Sequence, residues 1–303
     1  MSAAWVPITI TAAASQAVRT ALQRYLKGRL STNGAAFTRF LFGVPLAAIY
    51  LAALLGAGVG TVPSPRPGFW AWVLAAAVSQ IAATSLQLHV MGTRSFATGV
   101  AYAKTEVVQA ALFEILFLGA TVSWLGAAGI VLATLAVMMM SLSRTATSGR
   151  AALTGWMEPT ALLGLVAGGL FGVAAVGFRA ASISLGHPSA WVAAAFTLMV
   201  STALQTVIMG AFLALRERGE LRRVLAAAPV GALVGVASFI GSAGWFTAFT
   251  LQIAAYVRTL GLVELLFSLL ISLYAFRERP SRAEVAGLVL LGLSIAMVLN
   301  SGR

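Results

Sequence analysis

A lysine and a glutamate, Lys104 and Glu106, lie within an apolar run that extends from about residue 97 to residue 118. That run is long enough to cross a lipid bilayer, where ionised side chains are costly and are usually functional. The motif Tyr102-Ala103-Lys104-Thr105 returns 154 positions later as Tyr256-Val257-Arg258-Thr259. Two cations at the same register predict a binding site for an anionic group. The alternative is that each cation neutralises a nearby glutamate or extends to the lipid headgroups.

Acidic side chains occur in the same apolar segments, and two roles are open to them. One glutamate could carry a proton across the membrane. Alternatively, the acids are structural counter-ions to Arg19, Lys104 and Arg258, and this is the role we expect because an adjacent cation stabilises the ionised carboxylate. A histidine in such a segment is more often hydrogen-bonded within the structure than part of a proton relay. The candidate coupling residues are Glu106, Glu114, Glu264 and His89.

Neutral polar side chains form one-sided patterns on two further apolar segments. Gln16, Arg19 and Gln23 follow a spacing of three and then four residues, which places them on one face of a helix. Gln80 and Gln87 are seven residues apart and also share a face. Such faces should contact a cavity or another helix.

Two tryptophans, Trp191 and Trp245, could stack on a flat substrate or pack within the protein. Arg39, near the start of its apolar segment, is expected to extend to the headgroups. The candidate substrate-binding residues are Lys104, Arg258, Arg19, Gln16, Gln23, Gln80, Gln87, Trp191 and Trp245.

The composition is that of a polytopic membrane protein. Of 303 residues, 60% are hydrophobic and 9% charged, whereas a soluble domain carries about 25% charged residues. The chain has no cysteine, which excludes disulfides and thiolate chemistry. It also shows no phosphate-binding loop, no His/Glu metal pattern and no nucleophile elbow, so we expect no catalytic residue, metal or cofactor. The net charge of +12 falls mostly in short loops, so no nucleic-acid partner is expected.

The elements that must position these residues are helices, and ten apolar spans can be drawn. They cover residues 5–26, 35–57, 69–91, 97–118, 122–142, 159–183, 188–214, 229–250, 253–275 and 283–300. Pro45 falls inside the second span and is expected to kink it. Basic residues concentrate in the odd-numbered loops, which predicts that these loops are cytoplasmic and both termini outside.

The polar stretch 144–158 divides the chain into a first repeat, residues 1–143, and a second repeat, residues 159–303. The two Tyr-x-(Lys/Arg)-Thr motifs support this division, and Arg24 aligns with Arg179. Because five is an odd number, the second repeat would be inverted in the membrane. Inverted repeats are a common transporter architecture, with the substrate site near the midplane.

Ten spans in two inverted halves resemble the drug/metabolite transporter superfamily, in particular its EamA-type members. This resemblance implies an all-α integral membrane fold in which ten helices surround a central cavity. It also implies cytoplasmic termini, whereas the loop charges predict the opposite.

The functional expectation is a secondary transporter of amino acids, other zwitterions or organic anions, which works by alternating access across the cytoplasmic membrane. One alternative is a proton-coupled exporter of cationic or aromatic drugs, and another is a non-transporting membrane scaffold or enzyme. The expected partners are a small-molecule substrate and the lipid bilayer, with a coupling proton as a further candidate, and the protein is expected to be a monomer or a homodimer.

Overall fold

A computed structural model describes residues 4–90, 102–143, 159–267 and 281–301, and within these ranges the chain forms helices and no strand. Within the described residues, six helical segments are long and apolar enough to cross a membrane. Large apolar side chains such as Leu116, Trp124 and Leu215 are 74–80% exposed. Surfaces of this kind are stable in lipid and not in water. The chain is therefore a multi-pass α-helical membrane protein.

The helices alternate with short connections. In chain order they are α1 (Trp5–Leu26), α2 (Thr32–Leu41), α3 (Val44–Gly56), α4 (Pro67–Val90), α5 (Glu106–Leu118), α6 (Trp124–Ser143), α7 (Pro159–Ser184), α8 (Ala190–Arg216), α9 (Glu220–Ala226), α10 (Ala228–Leu251), α11 (Ala254–Gly261) and α12 (Arg282–Asn300).

The second predicted span is interrupted, as Pro45 suggested. Helix α2 ends at Leu41 and α3 begins at Val44, with Pro45 in its first turn. Proline lacks an N–H group and its ring clashes with the carbonyl four residues earlier, which here belongs to Leu41. The helix must therefore break between these two residues.

The fourth and ninth predicted spans are described only in part. Residues 97–101 and 268–275 of these spans lie outside the described ranges. In the described part of the fourth span, a turn at residues 104–105 precedes α5. In the ninth, α11 is followed by a turn at residues 262–263. Both turns lie close to a basic residue of the repeated motif.

The chain forms two compact units, which do not coincide with the predicted repeats. The first unit takes residues 1–81 and 174–252, and the second takes residues 82–173 and 253–303. Each unit therefore combines segments from both halves of the sequence. The connecting stretch 144–158 lies outside the described residues, and the division into two inverted five-helix repeats stays a prediction.

The core of the first unit consists of small and aromatic side chains. Helix α1 packs along α10, and α3 packs against α8. Phe178 and Phe246 have ring centroids 4.5 Å apart and pack with Ala47, Ala76 and Leu198. The alanines allow the helices to approach closely, as is common where lipid supplies no hydrophobic driving force between helices.

Glycines provide the close contacts of the second unit. A Cβ atom at Gly168 would lie 2.7 Å from the backbone oxygen of Ala103, and one at Gly172 would lie 3.2 Å from the backbone nitrogen of Ala110. Gly168 and Gly172 of α7 therefore lie directly against α5 and the segment just before it. A four-residue glycine spacing favours such packing.

Candidate functional site

Two ion pairs join the described parts of the fourth and ninth predicted spans, within the second unit. Lys104 Nζ lies 3.6 Å from Glu264 Oε2, and Arg258 Nε lies 2.9 Å from Glu106 Oε1. The pairs are reciprocal, because each span supplies one cation and one carboxylate. All four side chains are only 11–15% exposed. Pairing is how charges are stabilised in a medium of low dielectric constant.

These pairs support one of the two interpretations that the sequence left open for the repeated cations. Each cation has a glutamate as its neighbour, so the group of four is electrically balanced. A role for Lys104 and Arg258 in substrate binding stays a prediction. A role for Glu106 and Glu264 in proton coupling also stays a prediction, but an adjacent cation opposes it.

A further acid of this unit, Glu114, stabilises a helix terminus. Its side chain is fully buried on α5. The backbone N–H groups of Ala254 and Ala255 donate to its two carboxylate oxygens, at 2.8 and 3.1 Å. These N–H groups belong to the first turn of α11, where they have no partner within the helix. A carboxylate is also favoured there by the helix dipole.

An arginine in the first unit has the complementary role at a helix C-terminus. Arg179 on α7 donates through Nη1 to the carbonyl oxygens of Phe249 and Gln252, at 2.5 and 2.6 Å. The last carbonyl groups of a helix lack intrahelical partners, and a cation satisfies them well. The sequence aligned Arg179 with Arg24 but did not predict this contact. The signal available was an arginine inside an apolar span.

The polar stripe of α1 faces the protein interior of the first unit. Arg19 and Gln23 are 6% and 3% exposed, and Gln16 is half-buried. Gln23 donates through Nε2 to the backbone oxygen of Ala35, at 3.1 Å. The spacing argument therefore identified a buried face correctly. For Gln23, the partner is the backbone of α2.

A polar cavity lies among α2, α3, α4, α8 and α10 of the first unit. Gln205 Nε2 donates to Gln80 Oε1 at 2.8 Å and to the backbone oxygen of Ala77 at 3.3 Å. Ser238 is 3% exposed, and its hydroxyl finds no hydrogen-bond partner among the described residues. The lining consists of Arg39, Phe40, Gly43, Ala47, Gln80, Leu198, Thr202, Gln205, Ser238, Phe239, Ser242 and Phe246.

Arg39 is the charged residue of this lining, and the sequence placed it wrongly at the headgroups. Its side chain is 5% exposed, with the guanidinium carbon 5.0 Å from the centroid of the Phe40 ring. An ionised group inside a membrane protein is expensive and usually faces a cavity. Proximity to the start of the span suggested an interfacial residue, but the packing of α2 against α8 and α10 encloses it.

Gln205 was not among the predicted site residues. It is 1% exposed and is the only glutamine of α8. The rule that selected Gln80 applies equally to Gln205, because each is an amide inside an apolar span. The cavity has a volume of about 10 Å³, which is room for about one water molecule.

Another cavity of this unit is larger than the polar cavity and mainly apolar. It has a volume of about 430 Å³ and is lined by Pro7, Ile8, Thr11, Tyr50, Trp191, Phe239, Ile240, Ala243, Gly244 and Thr247. Phe239 lines both cavities and makes an edge-to-face contact with Tyr50, with centroids 5.7 Å apart. The Phe239 ring therefore lies between the apolar groove and the polar cavity.

The remaining predicted residues are dispersed. Trp191 is 42% exposed in the apolar groove, whereas Trp245 is 6% exposed and stacks on Phe249 with centroids 5.8 Å apart. Gln87 is half-buried and His89 exposed, both on the part of α4 that belongs to the second unit. The structure therefore places Gln80 in the polar cavity and Trp191 in the groove, and the roles of the others stay predictions.

Comparison with known proteins gives a family match in the first half of the chain. Residues 3–142 match the model of the EamA-like transporter family. No curated protein matches the sequence. Among 27 similar chains of known structure, one described as "Crystal structure of protein" is 16% identical, covers 99% of each chain and has a TM-score of 0.68. At this identity the likeness shows a shared fold and nothing about activity.

Proposed function

We propose, from the premise that residues 3–142 belong to the EamA-like transporter family, that this protein is a secondary transporter of small organic metabolites. The family is one of membrane transporters of the drug/metabolite type. The finer parts of the proposal are the substrate, which is an amino acid, another zwitterion or an organic anion, and a mechanism of alternating access. Ten spans in two inverted repeats are the architecture that we propose for it.

The polar cavity of the first unit is the observation that carries this proposal. A guanidinium group, two amides and a buried hydroxyl surround it, supplied by Arg39, Gln80, Gln205 and Ser238. Arginine binds carboxylates through two parallel hydrogen bonds. The Ser238 hydroxyl, without a partner among the described residues, is available to a polar ligand. This donor set suits a solute that carries a carboxylate and further polar groups.

The two ion pairs argue against Lys104 and Arg258 as the site that binds the anionic group of the substrate. Lys104 and Arg258 each lie beside a glutamate. The carboxylate of a substrate would have to displace this glutamate, whose side chain already lies 2.9–3.6 Å from the cation. That competition weakens binding of the substrate. Arg39, in contrast to both of these cations, is the charged residue among those that line the polar cavity. We therefore place the anionic group of the substrate at Arg39.

The small volume of the cavity supports a mechanism with more than one conformation. A space of about 10 Å³ is too small for an organic solute. Binding must therefore be accompanied by movement of the lining side chains. Rotation of Phe239 away from Tyr50 would join the polar cavity to the apolar groove. A substrate could then enter from the side of the groove.

Export of drugs is the second candidate function, and the apolar groove is the observation that favours it. Its volume of about 430 Å³ and its aromatic lining from Tyr50, Trp191 and Phe239 suit a flat apolar compound. Proton coupling through the predicted glutamates is less well supported. Glu106 and Glu264 lie beside cations, and Glu114 binds two backbone N–H groups.

The proposed location is the cytoplasmic membrane, with the odd-numbered loops in the cytoplasm. Contacts within the first unit support a common side for two of these loops. Ser31, in the first loop, donates its hydroxyl to Glu217 Oε2 at 2.5 Å, beyond the end of α8. Basic residues are abundant on these loops, and such loops stay in the cytoplasm.

Purified protein in liposomes tests the function directly. Uptake of labelled amino acids, labelled dicarboxylic acids and a cationic dye would be compared with uptake by empty liposomes. The expected result is saturable movement of a carboxylate-containing solute, by gradient or by exchange. Movement of the dye alone would favour the second candidate. If none of the solutes moves in correctly folded, inserted protein, the proposal of a metabolite transporter is wrong.

A further inference from the structure

The loops that follow α1 and α8 are held together on one face of the first unit. The backbone N–H of Ser31 donates to Glu220 Oε1 at 2.6 Å. Asn33 donates through Nδ2 to Glu217 Oε1, also at 2.6 Å. Glu220 is fully buried. The two acids of this region, Glu217 and Glu220, bind groups of the neighbouring loop, and their two negative charges offset only part of the positive charge around them.

The basic side chains around this contact are directed to the outside. We call them the basic face, and its exposed members are Arg24, Arg29, Arg216, Arg218, Arg222 and Arg223. Arg223 lies 2.6 Å from Glu220 Oε2, yet 60% of its side chain is exposed. Six arginines at the ends of α1 and α8, in the connections that follow them and on α9 give a local density of positive charge that is high enough to attract an anionic surface.

Lys27, next to the basic face, is affected by burial and by the positive charge of Arg24. It follows the last residue of α1 and is half-buried. Burial, and after it the positive charge of Arg24, lower the pKa of Lys27 below its usual value. Both causes disfavour its charged form. An anion near Arg24 and Lys27 would relieve the repulsion between them.

Apolar side chains accompany the arginines, as a membrane surface requires. Leu215, in the last turn of α8, is 79% exposed, Leu225 on α9 is 61% exposed and Tyr25 is 57% exposed. Helix α9 lies between two candidate membrane spans, and α10 begins at Ala228, two residues after α9 ends. Short connections between spans must lie at the membrane surface. The apolar groups can therefore contact acyl chains while the arginines contact headgroups.

We propose that the basic face binds the headgroups of anionic phospholipids of the surrounding bilayer, with α9 as a surface-lying element. The positive charges have a known general role in setting topology during insertion. That role alone predicts no preference of the folded protein for one lipid over another. The combination of six exposed arginines with only two glutamates among them and of flanking apolar groups predicts such a preference. This inference does not depend on the transported substrate.

Retention of lipid by the purified protein tests the proposal. Native mass spectrometry would measure the phosphatidylglycerol and phosphatidylcholine bound at equal concentrations to the wild type, to Arg218→Gln with Arg222→Gln, and to Arg66→Gln. Arg66 is exposed in the connection after α3, at the other end of the α2–α3 pair from the basic face. We expect preferential retention of phosphatidylglycerol, weakened by about fivefold for each arginine removed from the basic face and unchanged in Arg66→Gln.

Equal retention of the two lipids by the wild type, or unchanged retention in the double variant, would overturn the proposal. Glycerol phosphate is the soluble competitor, and displacement of the lipid by it at millimolar concentration would show a phosphate site and not a membrane contact. If the double variant does not fold, the wild type still decides the matter. Its retention of phosphatidylglycerol must fall as salt is raised to about 0.5 M, because screening weakens headgroup attraction.

Discussion

At the scale of single residues, Glu114 is fully buried, and both of its carboxylate oxygens accept backbone N–H groups from the first turn of α11. Replacement Glu114→Gln keeps the shape but leaves an amide NH₂ facing one of these donors. We expect a loss of about 1–3 kcal/mol in the free energy of unfolding. The measurement is the apparent unfolding temperature in detergent, which should fall by several degrees.

Glu217→Gln is the matched control for this carboxylate. Glu217 is half-buried and accepts hydrogen bonds from the side chains of Ser31 and Asn33 at a loop surface. Water can replace such contacts, so the change in unfolding temperature should be smaller. If Glu114→Gln instead has wild-type stability and removes the response of transport to a pH gradient, Glu114 is a proton carrier and not a structural residue.

Residue types could be predicted at this scale, but partners could not. The sequence identified Lys104, Arg258, Glu106 and Glu264 as unusual, and left open whether they bind a ligand or one another. Distances of 2.9 and 3.6 Å are set by tertiary packing and have no signal in local spacing. Arg39 shows the same limit, because its position near a span end could not reveal that neighbouring helices enclose it.

At the scale of the elements, the close contact of α7 with α5 depends on Gly168. A Cβ atom there would lie 2.7 Å from a backbone oxygen, which cannot move aside as a side chain can. We expect Gly168→Ala to force the helices apart and to lower stability by about 1–3 kcal/mol. The amount of folded, monodisperse protein after extraction and its unfolding temperature are the measurements.

Gly292→Ala provides the control, because a Cβ atom at Gly292 on α12 would have no heavy atom within 4 Å. Alanine has the better helix propensity, so this variant should be neutral or more stable by up to about 1 kcal/mol. Equal effects of the two substitutions would contradict the packing described for Gly168.

Helix boundaries were the most predictable feature of the elements. The predicted spans 5–26 and 159–183 correspond to α1 (Trp5–Leu26) and α7 (Pro159–Ser184). The reason is that the thickness of a bilayer and the polarity of its surface impose both the length and the ends of each helix. The turn at residues 104–105 was not predictable in this way, since neither glycine nor proline marks it.

At the scale of the whole molecule, the side of the membrane on which each loop lies can be measured with introduced cysteines. The native chain has no cysteine, so each introduced one reports on a single position. Arg29→Cys and Arg218→Cys should react with a membrane-impermeant maleimide from the same side, and Arg66→Cys from the other. The contacts of Ser31 and Asn33 with Glu217 require the first two positions to be neighbours. The loop charges predict that this shared side is cytoplasmic.

Labelling of positions 29 and 218 from opposite sides would contradict the described fold of the first unit. A shared side that is external would leave that fold intact but would overturn the orientation predicted from the charges. In that case the termini would be cytoplasmic, as the resemblance to the transporter family implied.

Grouping of the helices was the least predictable feature at this scale. The division of the sequence into two inverted halves stays a prediction, and each compact unit combines segments from both halves. Hydropathy indicates which segments lie in the membrane but not which of them are neighbours. The polar cavity could not be predicted for the same reason, because its polar residues come from four separate helices. These are Arg39 of α2, Gln80 of α4, Gln205 of α8 and Ser238 of α10.

The most direct test of the proposed site is the uptake of labelled carboxylate-containing solutes into liposomes. Uptake by Arg39→Gln would be compared with uptake by Arg66→Gln and by Lys104→Gln. Arg39 lines the polar cavity, whereas Arg66 is exposed in a loop and Lys104 lies beside Glu264. Loss of a charge-assisted hydrogen bond predicts uptake by Arg39→Gln at least about tenfold below wild type at low substrate concentration. Uptake by Arg66→Gln should equal that of the wild type. Wild-type uptake by folded Arg39→Gln, with loss of uptake in folded Lys104→Gln, would contradict the account.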